Sequence, residues 1–317
     1  MFDVTTLGEI ILRLSTPAGT RLEQARALDF FVGGAEANVA SLLARLGHYV
    51  GCVTALPATA LGRLSASALR EAGVDLGGLL WRESGRMGTY YVECSEPPRP
   101  TQVIYDREAS TAAQLQAGEI PVDYLLDTRL LHLTGITPPL SENLREAVLY
   151  LAAQARARSV PLSVDVNYRS RLWPPDQAAA VLDPLMHGAA LVFCKAADAQ
   201  LLFGMQGSPI ELARGLAERF GAGAAVVTHG AEGVYAWGDG QSLHEAAVPV
   251  HILDRIGAGD AMAAGVLRGW LRDDLAYGLR AGAMLSALAL TQYGDAVVTT
   301  ASELDGLLAA HSGDVQR

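Results

Sequence analysis

Runs of β-branched and aromatic residues alternate along this chain with runs whose apolar positions recur at helical spacing. That alternation constrains the fold more than any other feature. DVTTLGE (3–9) and ILRLS (11–15) read as strands, and EANVASLLARLG (36–47) reads as a helix with Gly47 as its stop. YVGCVTAL (49–56) is the next strand and ATALGRLSASALREAG (58–73) the next helix. RLLHLTG (129–135), a helix ending at Arg158 and PLSVDVN (161–167) repeat the theme; ALVFC (190–194), AAVVTHG (224–230) and VYAWG (234–238) complete it. Strands alternating with helices build a parallel sheet covered on both faces. The expectation is an α/β fold: a doubly wound, mostly parallel sheet that binds its ligands beyond the carboxyl ends of its strands. No long linker or low-complexity segment interrupts residues 1–317, which we read as one domain.

Residues 86–107 break the rhythm. RMGTYYVECS and TQVIYDRE are alternating, β-rich runs on either side of the proline-rich EPPRP (96–100). This is either an ordinary surface hairpin or, with strands near 11–15 and 28–32, a small second sheet lying as a lid over the site.

Composition removes several function classes. The formal charge of -10 argues against nucleic-acid or anionic-membrane partners, which require clustered cations. No apolar run approaches the roughly 18 residues of a membrane span, and MFDVTTLGEI does not read as a signal peptide. Cys52, Cys94 and Cys194 are scattered without metal spacing and suit a reducing cytoplasm. Lys195 is the single lysine among 24 basic residues, so a Walker-type GxxxxGK[ST] loop is absent, as are GxSxG and HExxH.

Two motifs carry chemistry. In DRIGAGDAMAAG (254–265), Gly257 and Gly259 permit a tight turn straight into a small-residue helix. The N–H groups of Gly257, Ala258 and Gly259 would then form an anion hole at a helix N-terminus, and Asp260 could take a proton from a hydroxyl attacking a phosphoryl group. Taken alone, the turn is equally an Asp-capped helix. In GGAEANVA (33–40), two glycines open a helix whose first turn holds Glu36 and Asn38.

Together these residues resemble the ribokinase, or phosphofructokinase-B, family of carbohydrate kinases. The GG…N and DxxGAGD signatures stand in the family's order and separation across essentially the whole chain. Within the family the chain is most similar to 2-keto-3-deoxygluconate kinases, through GE at 8–9, FVGGAEANVA at 31–40, VIYDREAS at 103–110, HLTGITP at 132–138 and VDVNYRSRLW at 164–173. The resemblance implies a ribokinase-like fold and transfer from ATP, with Mg²⁺ and in some members a monovalent cation such as K⁺, to a sugar acid's terminal hydroxyl. It assigns Asp260 as base. It places Gly34, Asn38, Tyr90, Tyr105, Arg107, Ile136, Arg169 and Asp295 at the sugar. Asn167, Lys195, Asp198, Thr228, Gly230, Gly233 and Asp254 fall along the nucleotide, with no direct protein ligand to the metal. An arginine fork reads a carboxylate in two places at once, which a neutral hexose does not require. The resemblance also implies a homo-oligomer.

The chain departs from the family where Lys195-x-x-Asp198 replaces Asn-x-x-Glu, where Thr59 stands for an Asp, and where His229 replaces a basic residue. Two other readings stay open: a fructokinase- or ribokinase-like enzyme, and a non-catalytic sugar or nucleotide sensor.

Overall fold

The computed structural model describes residues 1–95 and 98–314. In chain order its strands are β1 (Phe2–Leu7), β2 (Ile11–Ser15), β3 (Asp29–Gly33), β4 (Val50–Val53), β5 (Ala55–Pro57), β6 (Leu80–Arg82), β7 (Gly88–Glu93), β8 (Gln102–Asp106), β9 (Thr128–Thr134), β10 (Leu162–Asp165), β11 (Leu191–Lys195), β12 (Ala224–Thr228), β13 (Val234–Gly238) and β14 (Gln241–Glu245). The helices are α1 (Ala35–Arg45), α2 (Ala60–Glu71), α3 (Val122–Leu126), α4 (Glu142–Ala157), α5 (Pro175–Met186), α6 (Ala196–Phe203), α7 (Pro209–Phe220), α8 (Ala258–Trp270), α9 (Leu275–Leu290) and α10 (Ala301–Asp314).

The main sheet has eight strands in the order β14-β13-β12-β11-β10-β9-β1-β4. The six from β4 to β12 pair in parallel, as the alternation implies. The edge differs: β13 and β14 run antiparallel, because short turns join β12 to β13 and β13 to β14 and leave no room for a crossover. An apolar core lies on each face of the sheet. On one of them α8 and α9 approach closely, since a Cβ at Gly265 would collide with the backbone at Gly282, and one at Gly269 with that at Gly278.

The segment 49–56 is two strands, not one. Val50–Val53 joins the main sheet, and Ala55–Pro57 pairs separately with β6. The strand expected at 3–9 stops at Leu7, which frees Gly8 and Glu9 for the site.

A second sheet, of four strands, has the order β3-β2-β7-β8. β7 and β8 form the antiparallel pair expected within 86–107, and β7 lies parallel to β2. Glu96 and Pro97, at the proline-rich tip, lie outside the described residues. Side chains of one register alternate in direction with those of the next. Phe31, Arg13, Tyr90 and Tyr105 therefore form one row across all four strands, and Phe30, Leu14, Tyr91 and Ile104 form the neighbouring row on the opposite face.

Candidate active site

Chain direction sets where the site lies. From β1 the sheet grows one way to β4 and the other way through β9, so the strand order reverses between β1 and β9. Open α/β sheets offer a crevice at that switch point. Here it receives Glu36, from the first turn of α1. Its Oε1 accepts hydrogen bonds from the Thr134 hydroxyl at 2.8 Å and the Thr137 hydroxyl at 2.6 Å. Gly8 must be glycine, because a Cβ there would overlap the other Glu36 oxygen. Burial pushes the Glu36 carboxyl up to about 7 against the pull of the two threonines.

Two helix N-termini meet above this point. Gly34 precedes α1 at φ 135°, a conformation that favours glycine, with its Cα against the Glu9 carbonyl. Gly257 precedes α8 at φ 86°, with its Cα against the Asp295 carbonyl. Gly259 is different: its φ is not positive, and a Cβ there would meet no protein atom. Its smallness serves open space above the helix end, where an incoming ligand would lie. First-turn N–H groups of both helices lack intrahelical acceptors, so the crevice favours anions.

Asp260 stands in the first turn of α8, and the Asn38 amide of α1 donates to its Oδ2 at 2.7 Å. The two helices are thus joined at the residue proposed as base. Burial raises the Asp260 carboxyl to about 6; the Asn38 hydrogen bond opposes the rise, Asp165 adds to it, and Arg169 and Lys195 counter it. Asp165, at the end of β10, is likewise pushed to about 6 by burial and accepts from the Asn167 N–H at 3.0 Å. Asn167 takes φ 36°, a left-handed position that asparagine tolerates. Asp198, near the start of α6, is also raised by burial, against the pull of Lys195 and Arg169. Among the described residues, no three His, Cys, Asp or Glu gather as a metal cage.

The expected sugar residues divide into two sets. Tyr105, Arg107, Ile136 and Arg169 line one cavity of about 380 Å³ between the second sheet and the loop after β10. Arg169 makes no ion pair within that cavity, and its Nε is buried without a hydrogen-bond partner. Arg107 is already engaged: its Nε donates to Glu9 Oε2 at 2.8 Å and its Nη2 pairs with the same oxygen. Glu9 sits between β1 and β2 and has almost no exposed surface. Arg171, on the same loop, donates to the Val103 carbonyl of β8 at 2.9 Å and ties the second sheet to the main one.

Tyr90, Asp254 and Asp295 turn inward. The Tyr90 hydroxyl donates to Asp295 Oδ1, and Tyr90 stacks on Tyr105 at 5.5 Å. Both aspartates face Arg13, a fully buried residue that nothing in the local pattern ILRLS marks out. Arg13 Nη2 lies 2.6 Å from Asp254 Oδ2, and Nη1 lies 3.7 Å from Asp295 Oδ2. The expected nucleotide residues Lys195, Asp198 and Thr228 lie at the carboxyl ends of β11 and β12. Gly233 has a packing reason to be glycine, since a Cβ would strike the Glu245 carbonyl, whereas Gly230 faces open space. Glu9, Arg13, Glu36 and Asp165 were not assigned a role by the sequence; Glu9 and Asp165 lay within quoted motifs and Glu36 in the first turn of a Gly-Gly helix, while Arg13 carried no signal.

Comparison with known proteins agrees with this architecture. Residues 1–301 match the pfkB family of carbohydrate kinases. The chain is 34% identical to 2-dehydro-3-deoxygalactonokinase of Haloferax volcanii, over 99% of both chains. It superposes on the crystal structure of 2-dehydro-3-deoxygluconokinase from Thermotoga maritima with a TM-score of 0.91, at 30% identity, covering 98% of this chain and 100% of that one. A ribokinase-like chain of E. coli, solved with ATP and Mg²⁺, shares the fold at 20% identity and a TM-score of 0.89, covering 98% of this chain and 100% of that one. This chain belongs to the pfkB family of carbohydrate kinases, and it is a sugar kinase.

The geometry around Asp260 predicts its titration. Carboxyl-resolved NMR should find Asp260 half-protonated near pH 6, and Asn38→Ala should move that midpoint upward, because the amide stabilises only the ionised form. An unmoved or lowered midpoint in the variant would contradict the assigned hydrogen bond.

Proposed function

We propose that this kinase transfers the γ-phosphoryl group of ATP to the terminal hydroxyl of a 2-keto-3-deoxy sugar acid, 2-keto-3-deoxygluconate. The observation that carries the reading is Arg169, which makes no direct ion pair and whose buried Nε has no hydrogen-bond partner, in the cavity it shares with Tyr105, Arg107 and Ile136; Asp165, Asp198 and Asp260 feel its charge only at longer range. An unpaired arginine in a partly closed pocket calls for an anion, and a planar carboxylate fits its fork. Arg107, held by Glu9, presents only its remaining edge, so Arg169 is the principal reader of the carboxylate. The two relatives named above, one a galactonate and one a gluconate enzyme, lend the same substrate class.

In this reading Asp260 is the general base. Asn38 orients its carboxylate, and the N–H groups of Gly257, Ala258 and Gly259 receive the charge of the transferring phosphoryl group. The ionised side chain accepts the hydroxyl proton as the new O–P bond forms. Lys195, Asp198, Thr228, Gly230 and Gly233 line the nucleotide's approach, with Asn167 at its phosphates. Asp165 and Asp198, in their ionised form, would hold the water shell of Mg²⁺, which when bound would supply positive charge to the phosphates. Gly34, Tyr90 and Asp295 support the sugar pocket from behind. Asp254, placed along the nucleotide by the resemblance, also supports the anion-hole loop through Arg13 and the Ile256 N–H.

The same reading gives the enzyme a reducing cytoplasm, where ATP is abundant and Cys52, Cys94 and Cys194 stay as free thiols; among the described residues no helix is long and apolar enough to cross a membrane. It also gives it a second copy. The outer row of the second sheet exposes Phe30 at 54% and Ile104 at 49% beside Leu14 and Tyr91, an apolar strip suited to an identical strip. Sedimentation should show a dimer or larger that Phe30→Glu weakens; a wild-type monomer would refute this.

Activity and selectivity test the site together. kcat/KM for the sugar acid should fall tenfold per pH unit below about pH 6, where Asp260 takes up its proton. Asp260→Asn should lose roughly 10² to 10⁴ of turnover while still binding nucleotide. Arg169→Met should cost roughly 1.5 to 3 kcal/mol in kcat/KM for the acid, the usual range for a hydrogen bond to a charged group. Turnover of the acid at the wild-type rate in Arg169→Met would remove the carboxylate assignment.

A further inference from the structure

Arg13 has no accessible surface and lies in β2, in the middle of the second sheet. A buried guanidinium is costly unless carboxylates and hydrogen bonds surround it. Asp254 supplies the short ion pair at 2.6 Å and Asp295 the longer one at 3.7 Å. Arg13 Nε donates to the Ser15 hydroxyl at 2.6 Å, and the guanidinium lies 5.3 Å from the centre of the Phe31 ring. Both Nη atoms and Asp295 Oδ2 are buried without a hydrogen-bond partner, so ion pairing rather than hydrogen bonding balances most of this charge.

Both carboxylates belong to the loops that build the anion hole. Asp254 opens DRIGAGD; its Oδ1 accepts from the Ile256 N–H at 3.1 Å and its Oδ2 from the Gly294 N–H at 3.4 Å. The Asp295 carbonyl is the surface on which the Gly257 Cα rests, one residue before α8 begins. Removing the positive charge would leave two buried carboxylates close together, Asp254 on the loop that must hold its N–H groups still and Asp295 on the turn packed against Gly257. Burial already pushes the Asp295 carboxyl up to about 6, and Arg13 is the main influence that lowers it again.

We propose that Arg13 is a positioning residue, the resident monovalent cation of the anion-hole loop, and that transfer by this chain requires no added K⁺ or other monovalent cation. The family resemblance implies such a cation in some members. Here the charge that would steady Asp254 and Asp295 is part of the protein. The inference rests on the proposed role of the Gly257–Asp260 turn.

The test uses the full-length enzyme with the sugar acid and ATP·Mg²⁺ in potassium, sodium or choline chloride at equal ionic strength. The expected result is the same kcat in all three salts. Arg13→Met should lower kcat by roughly 10- to 100-fold, the scale of a displaced catalytic loop, with nucleotide Kd unchanged; Arg13→Lys should recover part of the loss. Amide exchange, which needs no activity, should quicken across 254–261 in Arg13→Met and less in Arg13→Lys. If Arg13→Met does not fold, Asp254→Asn should lower kcat in the same way. A kcat several-fold higher in K⁺ than in choline, or a folded Arg13→Met with wild-type kcat and exchange, would overturn the proposal. Absence of transfer by the wild-type enzyme in every salt would instead strike the substrate reading and leave the exchange result to decide Arg13.

Discussion

A guanidinium without exposed surface persists in a protein only where acids enclose it, and the ion pairs of Arg13 with Asp254 and Asp295 connect most of what matters in this fold. Arg13 comes from the second sheet, Asp254 from the turn before α8, and Asp295 from the turn after α9. Its row in the sheet continues through Tyr90, which donates to Asp295, to Tyr105, which lines the cavity shared with Arg107, Ile136 and Arg169. One unbroken line of contacts therefore runs from the sugar side to the loop that would receive the phosphoryl charge. The base of the second sheet is anchored by this line and by Arg107 on Glu9.

The second organising feature is the meeting of two helix N-termini at the switch point of the sheet. Glu36 locks α1 into the crevice between β1 and β9, and Asn38, two residues on, reaches Asp260 at the start of α8. The same two turns that favour an anion also carry three carboxylic groups, those of Glu36, Asp260 and nearby Asp165, whose burial raises them toward neutrality. A carboxylate poised near pH 6 is a usable base at neutral pH.

Much of this was legible in the order of residues. The βα alternation implied the parallel sheet, and the glycines at 33–34 and 257–259 with Asn38 and Asp260 marked the two helix entries that meet. Local rules serve such features because a turn or an N-terminus is written within a few residues. The antiparallel edge was not legible, since its two strands carry the same pattern as parallel ones. Neither was Arg13: ILRLS reads as an ordinary strand, and its partners lie at the far end of the chain. The same distance hid Glu9 as the partner of Arg107. Tyr90, Asp254 and Asp295 stand at motif positions, but their shared contact with Arg13 or with one another spans more than 200 residues and could not be read from spacing.

Arg169, without a direct ion pair in its cavity, is the group proposed to select keto-deoxy acids. The most direct measurement is kcat/KM by coupled ADP release for 2-keto-3-deoxygluconate, its galactonate epimer, fructose, ribose and adenosine, at saturating ATP·Mg²⁺. The account predicts that the two keto-deoxy acids stand well above every neutral acceptor. A neutral sugar or nucleoside phosphorylated as efficiently as the acids would contradict it.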